Sequence, residues 1–189
     1  MMDKDMDILY QPYYCEENIW HLCQHKYLSE GINYVVFISN PQLNVMFWSQ
    51  RIAKESQSPI IWDYHVVLFH KGHQDECWWV WDLDTLIGYP AKFEHYIQNS
   101  FSMIDQAHVR YHPVFRVIDA ADYVANFSSD RSHMFNTQSC YVHDPPPWPP
   151  IGIADQPHNL HRFIDMQEPY LGDLYNLAEI IERFSVIEH

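Results

Sequence analysis

Residues 60–70, Ile60-Ile61-Trp62-Asp63-Tyr64-His65-Val66-Val67-Leu68-Phe69-His70, form a β-type run, and Cys77-Trp78-Trp79-Val80-Trp81-Asp82-Leu83 forms a second one soon after. Both are rich in β-branched and aromatic residues, which suit a pleated, buried surface. The link between them, Lys71-Gly72-His73-Gln74-Asp75-Glu76, is polar and holds one glycine. A β-hairpin is therefore the natural connection. With its turn centred between His73 and Gln74, His65 faces Asp82 across the two strands. Cross-strand partners have Cβ atoms roughly 4.5–5.5 Å apart, near enough for an imidazole to bond a carboxylate. Side chains alternate along a strand, so Asp63 shares the face of His65 and Asp84 that of Asp82. A slip of register would bring those carboxylates forward instead.

The rest of the chain extends this sheet and covers it. Tyr34–Ser39 predicts a buried strand, and Val45–Trp48 a shorter one after the Asn40-Pro41 turn. Arg51–Ser58 predicts a polar loop or short helix. Upstream, Ile19, Trp20, Leu22, Cys23 and Tyr27 recur at helical spacing, which predicts a helix from Cys15 to about Leu28, closed near Gly31. Residues 1–11 read as a loose tail. Downstream, Phe93, Tyr96, Ile97 and Phe101 make a stripe on a helix over Ala91–Phe101. Val114–Ile118 is a strand, and Asp119 caps a helix running to Phe127. Asp144-Pro145-Pro146-Pro147-Trp148-Pro149-Pro150 must be extended, because each proline fixes its own φ and restricts its predecessor. It predicts a stiff strap over the surface. A last helix, Gly172–Phe184, turns Leu174, Leu177, Ile180, Ile181 and Phe184 inward. There is no internal repeat. The fold class is α+β, one domain over residues 1–189, with an N-terminal helix packed on an antiparallel sheet.

Bulk properties narrow the function. With 189 residues, 47% hydrophobic and 19% charged, the chain can bury a substantial core. A net charge of −14 argues against nucleic acid or an anionic membrane as partner. No apolar run reaches the length of a membrane span. The start, Met-Met-Asp-Lys-Asp-Met-Asp, lacks the basic-then-apolar layout of a signal peptide, so an intracellular, reducing location is expected. The cysteines at 15, 23, 77 and 140 are then free thiols. Thirteen histidines raise the question of metal. There is no Cys-x-x-Cys pair and no His-Glu-x-x-His helix, and strand alternation sends His65 and His70 to opposite faces; no metal is expected. Five glycines leave little room for a phosphate loop, and no cofactor is expected.

Cys15 opens the first helix. A thiol there meets the positive end of the helix dipole and free backbone N–H groups, so a lowered pKa is expected, opposed by Glu16 and Glu17 if they point inward. Cys15, His65 and Asp82 then supply a nucleophile, an acid–base group and a group that holds the imidazole tautomer. The Cys15 backbone N–H is one candidate oxyanion donor. Residue types alone leave an amidohydrolase, a thiol protease and a transglutaminase alike, because all pass through an acyl-enzyme. A non-catalytic peptide-binding module, grooved by aromatic residues and the proline strap, is the rival from another class.

Tyr14-Cys15-Glu16-Glu17-Asn18, Ile61-Trp62-Asp63-Tyr64-His65-Val66-Val67, Asp82-Leu83-Asp84-Thr85, Ser129-Asp130-Arg131-Ser132-His133-Met134 and Pro145-Pro146-Pro147-Trp148-Pro149 together resemble the protein N-terminal glutamine amidohydrolase family. The likeness runs from about residue 10 to the last helix. It implies a monomeric papain- or transglutaminase-like fold that needs no cofactor. It implies deamidation of an N-terminal glutamine to glutamate, on proteins or peptides with a free N-terminal Gln. It further implies a role in an N-terminal degradation-signal pathway in the cytoplasm, with the nucleus also open to it. It places the triad on Cys15, His65 and Asp82. A free α-amine is a cation and calls for a carboxylate, for which Glu16, Asp63 and Asp84 are the candidates. Trp62, Trp148 and Tyr14 are candidate aromatic walls. Asp130 and Arg131 read as a loop ion pair; the alternative is that the loop Ser129–His133 closes one wall of the pocket.

Overall fold

Val35, Val36, Phe37 and Ile38 are fully buried, and that continuous apolar run dictates the layering of the molecule. They lie on β1 (Ile32–Ser39). Alternation sends Val35 and Phe37 to one face of the sheet and Val36 and Ile38 to the other, and both faces are covered. The computed structural model describes residues 7–55, 58–152 and 158–186. Within them β1 pairs with β4 (His65–Lys71) on one side and β7 (Val114–Asp119) on the other. The sheet extends through β5 (Trp79–Trp81) to β6 (Ala91–Lys92), and past β7 to β8 (Asp173–Asn176). Its order is β6-β5-β4-β1-β7-β8, antiparallel throughout. A separate pair joins β2 (Val45–Phe47) to β3 (Ile60–Trp62).

Helices fill both flanks. α1 (Cys15–Leu22), α3 (Ala120–Asn126) and α4 (Leu160–Ile164) bury Ile19, Leu22, Tyr123 and Phe163 against Phe37 and Leu68. On the opposite face, α2 (Phe93–Ser100) and α5 (Leu177–Phe184) bury Phe93, Tyr96, Ile180 and Phe184 against Val36 and Phe69. This is the expected α+β arrangement, with the N-terminal helix on an antiparallel sheet.

Several local expectations are corrected. The run 60–70 is not one strand but two, broken at Asp63. There the Asp63 carboxylate accepts the Tyr64 N–H at 2.9 Å and its carbonyl accepts the Ser39 hydroxyl at 2.6 Å, which takes this peptide out of the ladder. The hairpin register is offset by two residues, pairing Leu68 with Trp81 and His70 with Trp79. The longer connection, in which Asp75 bonds back to Gly72, absorbs the difference. The first helix stops at Leu22 and gives way to a separate 3-10 turn at Lys26–Leu28. Gly31 opens β1 rather than capping the helix: at φ 133° it takes a backbone region closed to other residues, and a Cβ there would sit 2.5 Å from the Lys71 carbonyl. Finally, residues 173–176 form β8, so Leu174 lies on an exposed edge strand, and α5 begins later. Asn176 and Glu179 close a reciprocal capping box that sets its start. Ile181, expected inside, is exposed. Residues 1–6 of the expected tail lie outside the described residues; Tyr10 and Gln11 bond to Asp84 and Asn18 in the body of the protein.

Arg116 ties the far edge of the sheet together. It is fully buried on β7, and its guanidinium donates to four carbonyls: Phe163 at 3.1 Å, Leu171 at 3.3 Å, Asp165 at 2.5 Å and Glu168 at 3.0 Å. Burial lowers its pKa, but the planar fork of donors matches the curled segment after α4. Replacing it with Met leaves buried carbonyls without donors. Arg116→Met is expected to cost about 3 kcal/mol, read from the midpoint of urea unfolding at unchanged slope, and Arg116→Lys is expected to recover only part of that.

Candidate active site

Three loop devices bring the chemistry to one end of the sheet. Ahead of α1, Tyr13 adopts φ 69°, and Asn18 and Gln11 exchange two hydrogen bonds of 2.8 Å that close the turn. This sets Cys15 as the first residue of α1, largely buried, against β4. His65 is the first residue of β4, and so stands at the sheet's end. The turn after β5 is zipped to residues 49–51, through the Gln50–Thr85 bridge and the bonds Arg51 N–H to Asp84 O (2.8 Å) and Leu86 N–H to Ser49 O (2.7 Å).

His65 Nε2 lies 2.8 Å from Asp82 Oδ1, and both side chains are almost fully buried. The partnership expected from the hairpin is present, by a different route. In the observed register His65 and Asp82 are not directly opposite. Asp82 lies just past the end of β5 and reaches back. A slip of two residues keeps Asp82 on the same face, which is why it still meets the imidazole. Asp82 also accepts the Asp84 backbone N–H at 2.9 Å, the Gln50 amide at 3.0 Å and the Tyr96 hydroxyl at 3.0 Å. Burial alone would raise its pKa, but the His65 charge and these hydrogen bonds outweigh it and hold the carboxyl below its ordinary value. For His65, burial opposes the charged form; Asp82, with Asp84 and Glu16, overcomes this and raises the pKa. With Nε2 committed to Asp82, Nδ1 is left for a reacting group. The Trp62 indole stacks on the imidazole at 5.7 Å and 8°, and its N–H donates to Gln50 at 3.3 Å.

Cys15 and His65 line one pocket of about 380 Å³, together with Tyr13, Trp62, Asp63 and Asp84. The expected lowering of the Cys15 pKa is corrected. Burial, then the charges of Glu16 and Asp84, push the thiol well above its ordinary value, against a favourable bond from the Val66 backbone. The helix start is not enough to offset a dry site ringed by carboxylates. Burial and the nearby charges both favour the thiol over the thiolate.

The carboxylates separate by position. Asp63 is exposed and Asp84 nearly buried, and both line the pocket. Burial raises the Asp84 pKa, and Tyr10 donates to it at 2.5 Å. Glu16 is fully buried behind the thiol, outside the pocket lining: its Oε2 takes the Tyr64 hydroxyl at 3.0 Å and lies 3.7 Å from Cys15 Sγ, while Oε1 is 3.4 Å from His133 Nε2. Arg131 does not pair with Asp130. It reaches Glu17 with two bonds of 2.8 and 2.7 Å, and its remaining donors meet the Pro146 and Trp148 carbonyls. The Trp148 indole N–H donates to the same carboxylate at 2.8 Å. Trp148 thus fastens the proline strap to α1 instead of walling the pocket. Tyr14 is likewise buried outside the lining, bonded to the His143 carbonyl, while its neighbour Tyr13 stacks on the His143 ring at 3.5 Å. Of the aromatic residues expected there, Trp62 alone lines the cavity.

Among the described residues one group, His65, Asp82 and Asp84, has ligand-type atoms within 4.8 Å of one another, the spacing a metal could use. The hydrogen bonds already made within it account for that proximity. His133 and Met134 line the pocket, as expected if the loop at 129–133 closes one wall; Gln50, Tyr96 and His143 carry no sequence signal for the site, and His158 and His161 none beyond their closeness in sequence. Gln50 and His143 lie on irregular segments without periodicity, and His161 on a helix too short to show one. Tyr96 was assigned to the core by its helical stripe, and only its hydroxyl reaches the site.

A profile of the N-terminal glutamine amidase family matches residues 10–184. The chain is 40% identical over 185 residues to the protein N-terminal glutamine amidohydrolase of Homo sapiens, covering 93% of this chain and 87% of that one. It is 39% identical over 183 residues to the Bos taurus protein of the same name, covering 94% and 87%. The Drosophila melanogaster protein of that name is 34% identical over 194 residues, covering 100% and 94%. With these matches spanning strands, helices and pocket alike, this chain belongs to the N-terminal glutamine amidase family.

Proposed function

We propose that this protein hydrolyses the side-chain amide of an N-terminal glutamine, releasing ammonia and leaving glutamate. The observation that carries this is the buried His65–Asp82 pair, 2.8 Å apart, opening onto the same pocket as the Cys15 thiol in a chain of this family. His65 Nδ1 takes the thiol proton as sulfur attacks the amide carbon. The Cys15 backbone N–H, at the helix start, supports the oxyanion. His65 returns the proton to the departing nitrogen, ammonia leaves and a thioester remains. Water then gives a proton to His65 and its oxygen to the carbonyl carbon, the C–S bond breaks, and the thiol is restored. Atoms balance as one amide and one water giving one carboxylic acid and one ammonia. Asp82 stabilises the imidazolium in both halves.

The pairing of a nucleophile helix with an antiparallel sheet that carries the base supports a papain- or transglutaminase-like assignment. The monomeric state, the cytoplasmic or nuclear location and the use of the product as a degradation signal belong to this proposal and rest on the family resemblance. For the substrate's α-ammonium, Asp63 and Asp84 are the carboxylates that line the pocket, with Glu16 behind them.

A peptide beginning with Gln is expected to release ammonia with its chain intact, and Cys15→Ala to release none. Cleavage would indicate a protease, joining to an amine a transglutaminase, and binding without turnover by the wild type a peptide-binding module. In the pH profile of kcat/KM, the neutral imidazole is the active base, so activity rises as His65 loses its proton. Its raised pKa places this limb above the ordinary histidine value of about 6.5. Asp82→Asn removes the charge that opposes burial, so the limb is expected to move to lower pH while the plateau falls by roughly two to four orders of magnitude. Discrimination against an acetylated N-terminus is expected to weaken when Asp63, Asp84 and Glu16 are neutralised singly; its survival in all three variants would assign amine recognition to other groups.

A further inference from the structure

The pocket that holds Cys15 continues beyond the space for a single side chain. His158 and His161 line it, and both also line a second cavity of about 440 Å³, whose wall includes Asn126, Arg162 and Tyr170. The two imidazoles have centroids 6.3 Å apart. The Arg162 guanidinium is exposed and lies 3.9 Å from the centre of the Tyr170 ring, which orients it. Among the described residues no carboxylate pairs with Arg162; His158 has Asp130, exposed, at 3.4 Å. One guanidinium and two imidazoles thus meet on a chain of net charge −14; burial lowers the His158 pKa, so the positive charge is that of Arg162.

An enzyme acting on a chain end must let the polypeptide leave its pocket. His158 and His161 line both cavities, so the second lies next to the pocket that the first residue would occupy, within reach of the residues after it. We propose that this second cavity is a subsite for acidic side chains in the substrate segment that follows the N-terminal glutamine, with Arg162 and His161 as its ligands. It rests on the deamidase reading above. The charge of the whole protein predicts the opposite order, since a strongly acidic surface attracts cationic peptides. Local contact and global field are therefore separable by sign.

The test uses the wild-type protein and three amidated peptides, Gln-Ala-Glu-Glu-Ala, Gln-Ala-Ala-Ala-Ala and Gln-Ala-Lys-Lys-Ala, with ammonia release as readout. The Glu peptide is expected to exceed the alanine peptide by roughly two- to fivefold in kcat/KM, the scale of an exposed ion pair, chiefly through KM. High salt is expected to remove the difference. Arg162→Glu, and independently His161→Glu, both at exposed positions, are expected to reverse the order of the Glu and Lys peptides. Equal rates for the Glu and alanine peptides, a wild-type preference for Lys, or a Glu preference that survives both substitutions would overturn the subsite. Turnover of the alanine peptide without a Glu preference overturns this inference alone. Absence of ammonia from all three peptides with folded wild-type protein overturns the deamidase reading as well.

Discussion

A buried carboxylate must be satisfied, and around Asp82 that requirement organises the catalytic end of the molecule. An unpaired charge at full burial would cost several kcal/mol. Four donors converge on it: the His65 imidazole, the Gln50 amide, the Tyr96 hydroxyl and the Asp84 backbone N–H. Each comes from a different element, namely β4, the loop after β2, α2, and the turn after β5. Satisfying one anion therefore fixes four pieces of backbone relative to each other. The same set of bonds holds the imidazole tautomer, so packing and chemistry share one constraint.

The helix bearing Cys15 meets a similar constraint from the other side. Glu16 and Glu17 follow the thiol and both are fully buried. Glu17 is neutralised by the Arg131 fork and capped by Trp148, which draws in the proline strap. Arg131 itself takes φ 62°, an uncommon conformation for a side chain of its size, held by these bonds. Glu16 has Tyr64 and, at longer range, His133. The thiol sits among anions in a dry site, which accounts for its raised pKa despite the helix start. In the proposed reaction the barrier to forming thiolate is lowered by His65, whose own pKa the surrounding acids raise. Glu16 and Asp84, which disfavour the thiolate, also join Asp82 in raising the pKa of His65.

Much of this was legible in the chain. The pairing of His65 with Asp82 and the place of Cys15 at the start of a helix could be expected from residue type and order, and the buried strands from their β-branched runs, because those signals are local. Capping by Asp119 was local too, and it holds: its side chain accepts the Ala121 N–H at 2.8 Å. The misreadings share one cause, which is that a distant partner overrides a local pattern. Residues 173–176 carry part of a helical stripe, yet pair as a strand because β7 has an open edge. Arg131 has an acid next to it in sequence, yet takes one 114 positions away, because burial makes the stronger bidentate pair worthwhile.

The amino-acid sequence by itself determined the class of fold, the membership of a family and the identities of a thiol, an imidazole and a carboxylate that the fold gathers at one end of the sheet. Periodicity and residue chemistry are properties of short segments, and they survive without coordinates. Only the tertiary structure decided that His65 meets Asp82 diagonally past the end of a strand, that Glu17 belongs to Arg131, and that His158 and His161 stand between the pocket and a second cavity. Those outcomes depend on how buried charges find donors across the whole chain, and such pairing has no signature at any fixed spacing.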